Sequence, residues 1–268
     1  MNRFDERFAL LGKKSEGAFV PFVVLGDPDA KTSLEMVKAL IDNGADALEL
    51  GFPFSDPIAD GPTVQAADQR ALDAGIDTDK CLLMIGKIRS HDAKIPISLL
   101  VYYNLVFQRG ISKFCRNAVG AGVDALLIAD MPIEESDYLL EQAKKHGISQ
   151  VFLVAPTTPN SRIRAISSKC SAYLYVVSLL GVTGARTSLQ GSAVKLIKRI
   201  RPLSKLPLLV GFGISKPKHV KEVIKAGADG VIVGSAIINI IKENLGKRKK
   251  MLEAIALFAR QMKAATRP

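Results

Sequence analysis

Hydrophobic residues along this chain fall into two alternating rhythms. The first is a series of short runs that are apolar at consecutive positions: Phe19–Leu25, Ala47–Leu50, Ile97–Tyr102, Ala125–Ile128, Val151–Val154, Tyr173–Val177, Leu208–Gly211 and Val231–Val233. Consecutive apolar positions suit parallel strands covered on both faces, and these eight runs are predicted as such strands. The second rhythm recurs at helical spacing, as in Ser33-Leu34-Glu35-Met36-Val37-Lys38-Ala39-Leu40-Ile41. It predicts helices over Thr32–Asn43, Ile111–Ala121, Ser136–His146, Ala193–Arg201 and Pro217–Ala226. Extra helices are expected before the first strand, near Phe4–Leu11, and after the last, over Lys249–Lys263.

A short phrase repeats at the junctions. Asn43-Gly44-Ala45-Asp46, Ala121-Gly122-Val123-Asp124 and Ala226-Gly227-Ala228-Asp229 each lead into a buried run. Glycine there is suited to end a helix in the left-handed conformation. The repetition predicts a βα architecture built from like units. Eight units can close on themselves and leave no sheet edge exposed. An open doubly wound sheet would favour GxGxxG after the first strand, and Leu25-Gly26-Asp27-Pro28 is not one. The expected fold is therefore an α/β (β/α)8 barrel. It would form a single domain over residues 1–268, with an extra N-terminal helix and additional helices near a phosphate site.

Composition is consistent with this. The chain has 268 residues and is 48% hydrophobic, against about 250 residues for a typical barrel of this kind. An ordered chain is expected at that apolar content. Cys81, Cys115 and Cys170 are odd in number and form no CxxC spacing, which predicts a reducing compartment and small buried hydrophobes. The N-terminus lacks the apolar core of a signal peptide, and no run reaches membrane-spanning length. The cytoplasm is the expected location. Net charge is +11, with a cluster at Lys247-Arg248-Lys249-Lys250. The excess is scattered over helix-like segments, aromatics are only 6%, and no nucleic-acid motif accompanies it. A solvated basic face is expected, with no nucleic-acid partner and no membrane partner.

In barrels of this type the site lies at the carboxyl ends of the strands, and phosphate is held after the seventh and eighth. Glycines stand there, in Gly211-Phe212-Gly213-Ile214-Ser215 and Gly234-Ser235-Ala236-Ile237. Glycine lets backbone N–H groups approach an anion, and a following helix N-terminus adds donors and a favourable dipole. Ser235 can contribute a hydroxyl and cap its helix. A third loop, Gly181-Val182-Thr183-Gly184-Ala185, follows the sixth strand.

Glu49 lies inside Ala47-Leu48-Glu49-Leu50. Strand side chains alternate, so with both leucines against the outer helices Glu49 points into the barrel, near the mouth. An ionised carboxylate in an apolar wall is costly, so its pKa is expected to rise, suiting it to give and take a proton near neutrality. The next loop, Gly51-Phe52-Pro53-Phe54-Ser55-Asp56-Pro57-Ile58-Ala59-Asp60-Gly61, offers two further carboxylates. Placement alone does not choose between Asp56 and Asp60, since acidic residues in Pro/Gly loops are commonly turn formers.

The segment Leu48–Gly61 resembles the signature of the tryptophan synthase α subunit family. The resemblance continues through Phe19-Val20-Pro21-Phe22, Gly26-Asp27-Pro28, Tyr103-Asn104, Asp130-Met131-Pro132, Gly181–Gly184, Gly211–Ile214 and Gly234–Ala236. It implies a TIM barrel and a lyase that cleaves indole-3-glycerol phosphate to indole and glyceraldehyde 3-phosphate, without metal or cofactor. It implies Glu49 as the acid–base group and Asp60 as the partner of the indole N–H. It assigns Phe22, Leu100, Tyr102, Leu127 and Phe212 to an indole pocket. Tyr175 would orient Glu49 or substrate, and Thr183 would sit on a lid and touch Asp60. Gly184, Gly213, Gly234 and Ser235 would hold phosphate. The implied partner is a pyridoxal-phosphate β subunit in an α2β2 assembly, faced by Pro53, Asp56, Pro57, Asp130 and Pro132. Leu105, Leu179 and Leu180 depart from residues common in the family. Two rival readings remain: a metal-assisted sugar-phosphate epimerase or isomerase, which needs clustered ligands that His91, His146 and His219 do not suggest, and a ligand-binding regulatory subunit.

Overall fold

The computed structural model describes residues 2–177 and 189–267. The chain begins with α1 (Arg3–Lys13), enters β1 (Ala18–Val24) and returns through α2 (Ala30–Asp42) to β2 (Leu48–Gly51). Helices α3 (Pro62–Asp73) and α4 (Thr78–His91) precede β3 (Ile97–Val101), and α5 (Tyr103–Arg109) and α6 (Ile111–Ala121) precede β4 (Ala125–Ile128). Then come α7 (Asp137–His146), two short segments β5 (Ser149–Gln150) and β6 (Phe152–Val154), α8 (Asn160–Lys169) and β7 (Leu174–Val177). The chain ends with α9 (Leu189–Ile200), β8 (Leu208–Gly211), α10 (Pro217–Lys225), β9 (Gly230–Val233), α11 (Ser235–Glu243) and α12 (Arg248–Ala264).

All strand pairs are parallel, in the order β5-β4-β3-β2-β1-β9-β8-β7-β6. The two ends of that order, β5 and β6, are separated in the chain only by Val151. They are two halves of one stave, so the sheet closes into an eight-stave barrel. The stave predicted as Val151–Val154 thus begins earlier and is interrupted at its first expected residue. At this point pairing passes from one neighbour to the other. Val151 still donates its N–H to Leu126 at 3.0 Å, while the Gln150 carbonyl accepts from Ser171 and Ala172 on the opposite side.

The repeated Gly-x-Asp phrase has a common geometry. Gly44, Gly122 and Gly227 adopt φ of +106°, +103° and +100°, the left-handed region where a side chain is strained. The aspartate two residues on then reaches back to the start of the preceding stave. Asp46 accepts from the Phe19 N–H at 2.8 Å, Asp124 from Ile97 at 2.9 Å and Asp229 from Leu208 at 2.7 Å. Each aspartate also meets a cation: Lys263 for Asp46, Arg3 and Arg89 for Asp124, Arg201 for Asp229. The echo is a stave-to-stave clamp repeated at the amino-terminal end of the barrel.

Helix α1 closes that end. Asn2 caps it, and the Asn2 side chain also donates to the Asp124 carbonyl and to Ser149. Phe4 is buried inside, its ring 5.4 Å from that of Tyr173. The cysteines are all unpaired and buried, as expected of small apolar fillers; burial pushes the Cys115 and Cys170 thiols up to about 11.

Candidate active site

Register places the barrel's inward side chains in layers. Glu49 on β2 lies beside Phe22 on β1 and Ser98 on β3. One layer nearer the mouth, Gly51 lies beside Leu100, and Leu100 beside Leu127 on β4. Across the barrel, Tyr173 immediately precedes β7 and Tyr175 follows within it, two residues on and so on the same face.

Glu49 has no solvent exposure. Tyr173 donates its hydroxyl to Glu49 Oε1 at 3.3 Å, while Oε2 has no hydrogen-bond partner among the described residues. Burial is the main cause that pushes the Glu49 carboxyl up to about 8, with the nearby negative charge of Asp60 adding to it and Tyr173 opposing. The group therefore holds its proton at neutral pH and can release it without a large free-energy cost. The family resemblance implies that Tyr175 orients Glu49 or the substrate. The observed hydrogen bond comes from Tyr173, one pleat deeper. Tyr175 is buried close enough to feel the charge of both Glu49 and Asp60, which, after burial, raises its hydroxyl well above the ordinary value.

The structure distinguishes the two aspartates. Asp56 is exposed and accepts from the neighbouring Ser55 hydroxyl at 2.5 Å. Asp60 is half-buried, and Tyr102 donates to its Oδ2 at 2.6 Å. The same Tyr102 oxygen accepts the Ala59 N–H at 3.1 Å. Burial raises the Asp60 carboxyl and the Tyr102 hydrogen bond pulls it back. Tyr102, expected as pocket wall, is thus also a polar clamp, and Phe54 stacks on its ring at 5.0 Å.

Phe22 fills the space between two stave ends. A β-carbon on Gly51 would come within 2.9 Å of its ring, and one on Gly234 within 2.8 Å. Gly211 similarly makes room for Tyr175, whose hydroxyl oxygen lies 2.2 Å from where a β-carbon would stand. These glycines therefore have packing reasons to lack a side chain beside any anion-binding role. Gly234, rather than Ser235, occupies the N-cap of α11, and its carbonyl accepts from Ile237 and Ile238. Ser235 is the first helical residue and makes no side-chain cap bond, which corrects the expected cap. Ser235 is exposed and stands with the start of α11 just past the carboxyl end of β9.

Phe212, half exposed at 44%, adopts φ of +68°, and Gly213 follows at +73°. A left-handed phenylalanine is strained and turns its ring toward Tyr175, at 6.2 Å and 66°. Leu100 is half-buried and Leu127 fully buried. Pro53 is buried, Pro57 half-buried, and Asp130 and Pro132 exposed. Asp130 accepts the Tyr103 N–H at 2.8 Å at the start of α5. Thr183 and Gly184 lie outside the described residues, as do Leu179 and Leu180; Leu105 is half-buried on α5. The three histidines lie apart: His91 pairs with Asp42, His146 with Ser112, and His219 accepts from the Ser215 N–H.

A closed parallel barrel with a proton-bearing glutamate inside and a second carboxylate clamped at its mouth defines an acid–base barrel enzyme. The comparisons give the family. The profile of the tryptophan synthase alpha chain matches residues 8–267. The tryptophan synthase alpha chain of Methanothermobacter thermautotrophicus is 52% identical over 96% of this chain and 96% of its own. The structure of the Legionella pneumophila subunit alpha superposes with a TM-score of 0.89 at 36% identity, covering 99% of this chain and 98% of that one. A chain of the Pyrococcus furiosus tryptophan synthase α2β2 complex does so with 0.86 at 38%, covering 92% and 98%. The protein belongs to the tryptophan synthase alpha chain family.

Proposed function

We propose that the barrel mouth cleaves indole-3-glycerol phosphate to indole and glyceraldehyde 3-phosphate, with Glu49 giving and taking the proton and Asp60 facing the indole nitrogen. The observation that carries this reading is the state of Glu49: fully buried, with one oxygen unpartnered among the described residues, in surroundings that push its carboxyl up to about 8. Protonation of indole C3 by Glu49 places positive charge on the ring nitrogen. The Asp60 carboxylate, fixed by Tyr102, stabilises that charge. The Glu49 carboxylate then takes the proton of the glycerol hydroxyl next to the ring as the C–C bond breaks. The aldehyde forms, and the bond electrons restore the aromatic indole. No step requires a metal or cofactor.

Phe22, Leu100, Tyr102, Leu127, Tyr175 and Phe212 would enclose the indole. Phosphate would rest on the N–H groups at Gly213, Gly234 and Ser235, with Gly184 from the neighbouring loop. A β subunit is the proposed partner, in an α2β2 assembly like that of Pyrococcus furiosus. Asp56, Pro57, Asp130 and Pro132 are accessible to it, while Pro53 in the same loop is buried. Residues 1–268 would act as one domain. Three unpaired cysteines support a cytoplasmic location, and no described helix is long and apolar enough to cross a membrane.

The test is indole release from indole-3-glycerol phosphate by wild type, Glu49→Gln and Asp60→Asn, with and without a β subunit. Release by wild type and its loss in both variants is the expected outcome. Release undiminished in Glu49→Gln would remove Glu49 from the reaction.

A further inference from the structure

A third carboxylate stands behind the two at the mouth, on an element to which no role has been given above. Asp68 lies on α3, the helix that follows the Asp60 loop, and is only 4% exposed. Its Oδ2 is buried with no hydrogen-bond partner among the described residues. A buried carboxylate of this kind is costly unless it carries a proton or meets a donor. Asp68 does the first: it is held up to about 8, chiefly by burial and then by the negative charge of Asp60, with Asp27 adding and the Phe54 N–H opposing. Of the charged groups around it, Asp27 is already neutralised by Arg70, which reaches it from the same helix through two hydrogen bonds of 2.7 and 2.8 Å.

Helix α3 thus grips the loop at both ends. Three residues apart, Gln65 and Asp68 share a helix face. Gln65 donates its side-chain amide to the Asp60 carbonyl at 2.8 Å. Asp68 faces the backbone N–H of Phe54. Phe54 stacks on Tyr102, and Tyr102 holds Asp60. A chain of contacts therefore runs from Asp68 to the carboxylate proposed to face the substrate nitrogen.

We propose that Asp68 is a positioning residue for Asp60: buried behind the loop, it anchors the Phe54 end and keeps the Phe54–Tyr102 stack in place. This rests on the proposed role of Asp60. A second ionised carboxylate behind Asp60 would draw a proton onto the pair. A missing side chain would let the stack relax.

The experiment compares Asp68→Asn, which keeps the shape and a hydrogen-bonding group but cannot ionise, with Asp68→Ala and the smaller polar Asp68→Ser. Indole release from indole-3-glycerol phosphate and amide NMR of Ala59 and Asp60 are measured on each folded protein. The loss falls on kcat, because the Asp60 charge acts on the transition state. Asp68→Ala and Asp68→Ser should lower kcat roughly tenfold with KM changed less than about twofold, and should shift the Ala59 and Asp60 resonances. Asp68→Asn should restore kcat to within about threefold of wild type and leave those resonances in place. Wild-type kcat in folded Asp68→Ala or Asp68→Ser, or a loss in Asp68→Asn as large as in Asp68→Ala, overturns the proposal. Should wild type itself release no indole, the lyase reading fails, and the resonances alone decide whether Asp68 positions the loop.

Discussion

One phenol holds the second carboxylate: Tyr102 donates to Asp60 Oδ2 at 2.6 Å while accepting the N–H of Ala59, the residue just before it. Removing that hydroxyl leaves the ring and its stack on Phe54 but frees the carboxylate to rotate. Hydrogen bonds to charged groups contribute about 1.5–3 kcal/mol. Tyr102→Phe should therefore lower kcat/KM for indole-3-glycerol phosphate by roughly one to two orders of magnitude, and lower stability by about 1–3 kcal/mol. Steady-state kinetics beside a urea melt checks both halves.

Glu49 makes stability depend on pH in an unusual direction. Its carboxyl titrates near the ordinary value of 4.5 in the unfolded chain and at about 8 in the fold. The folded state therefore binds this proton more tightly. The group imposes no penalty below 4.5, and a growing one as pH rises toward 8. Glu49→Gln cannot ionise. Its stability relative to wild type should rise across that window by an amount on the order of a few kcal/mol. Chemical denaturation at pH 5 and pH 8.5 measures it; an equal difference at both would show that Glu49 is not proton-bearing in the fold.

Asp27 is 1% exposed, and among the described residues its counter-charge comes from Arg70 alone. Breaking such a pair from one side leaves a charge without compensation and costs about 3–5 kcal/mol. Arg70→Ala should show a loss of this size at pH 7, shrinking as pH falls and Asp27 takes up a proton. The double variant Arg70→Leu with Asp27→Asn should lose less than Arg70→Ala alone. Denaturation midpoints at two pH values discriminate these cases.

Lys263 on α12 joins three parts of the barrel floor: Glu16 at 2.9 Å, Asp46 at 3.0 Å and the Gly17 carbonyl at 3.4 Å. Its side chain is 11% exposed, so solvent does little to screen it. Lys263→Met should destabilise by about 3 kcal/mol. A double-mutant cycle with Asp46→Asn should give a coupling of roughly 1–3 kcal/mol. Additive losses would show that Lys263 contributes by packing alone.

Much of the barrel was legible because a strand buried on both faces is apolar at every position, and no other element writes that pattern so briefly. Ala125–Ile128 and Leu208–Gly211 fall where the pattern puts them. Val151 did not, because the change of pairing partner within a stave leaves no trace in hydrophobicity. Glu49 stood out as a charge at an inward position between two leucines. Its partner Tyr173 did not, because an aromatic at a strand start reads as core; strand parity with Tyr175 was the available signal. Asp46, Asp124 and Asp229 were visible as a repeat, but their reach to the preceding stave exists only in three dimensions. Asp68 carried no signal at all, since a carboxylate on a helix ordinarily faces water.

The stopper at the floor of the barrel is two side chains from the Glu49 carboxyl. Phe4 packs on Tyr173, and Tyr173 bonds Glu49, so one continuous column joins α1 to the buried carboxyl proposed to carry the proton. An affinity tag or leader fused ahead of Asn2 therefore acts on more than solubility: by lifting Phe4 it would loosen Tyr173 and change how firmly the acid is held, far from the opening where substrate enters.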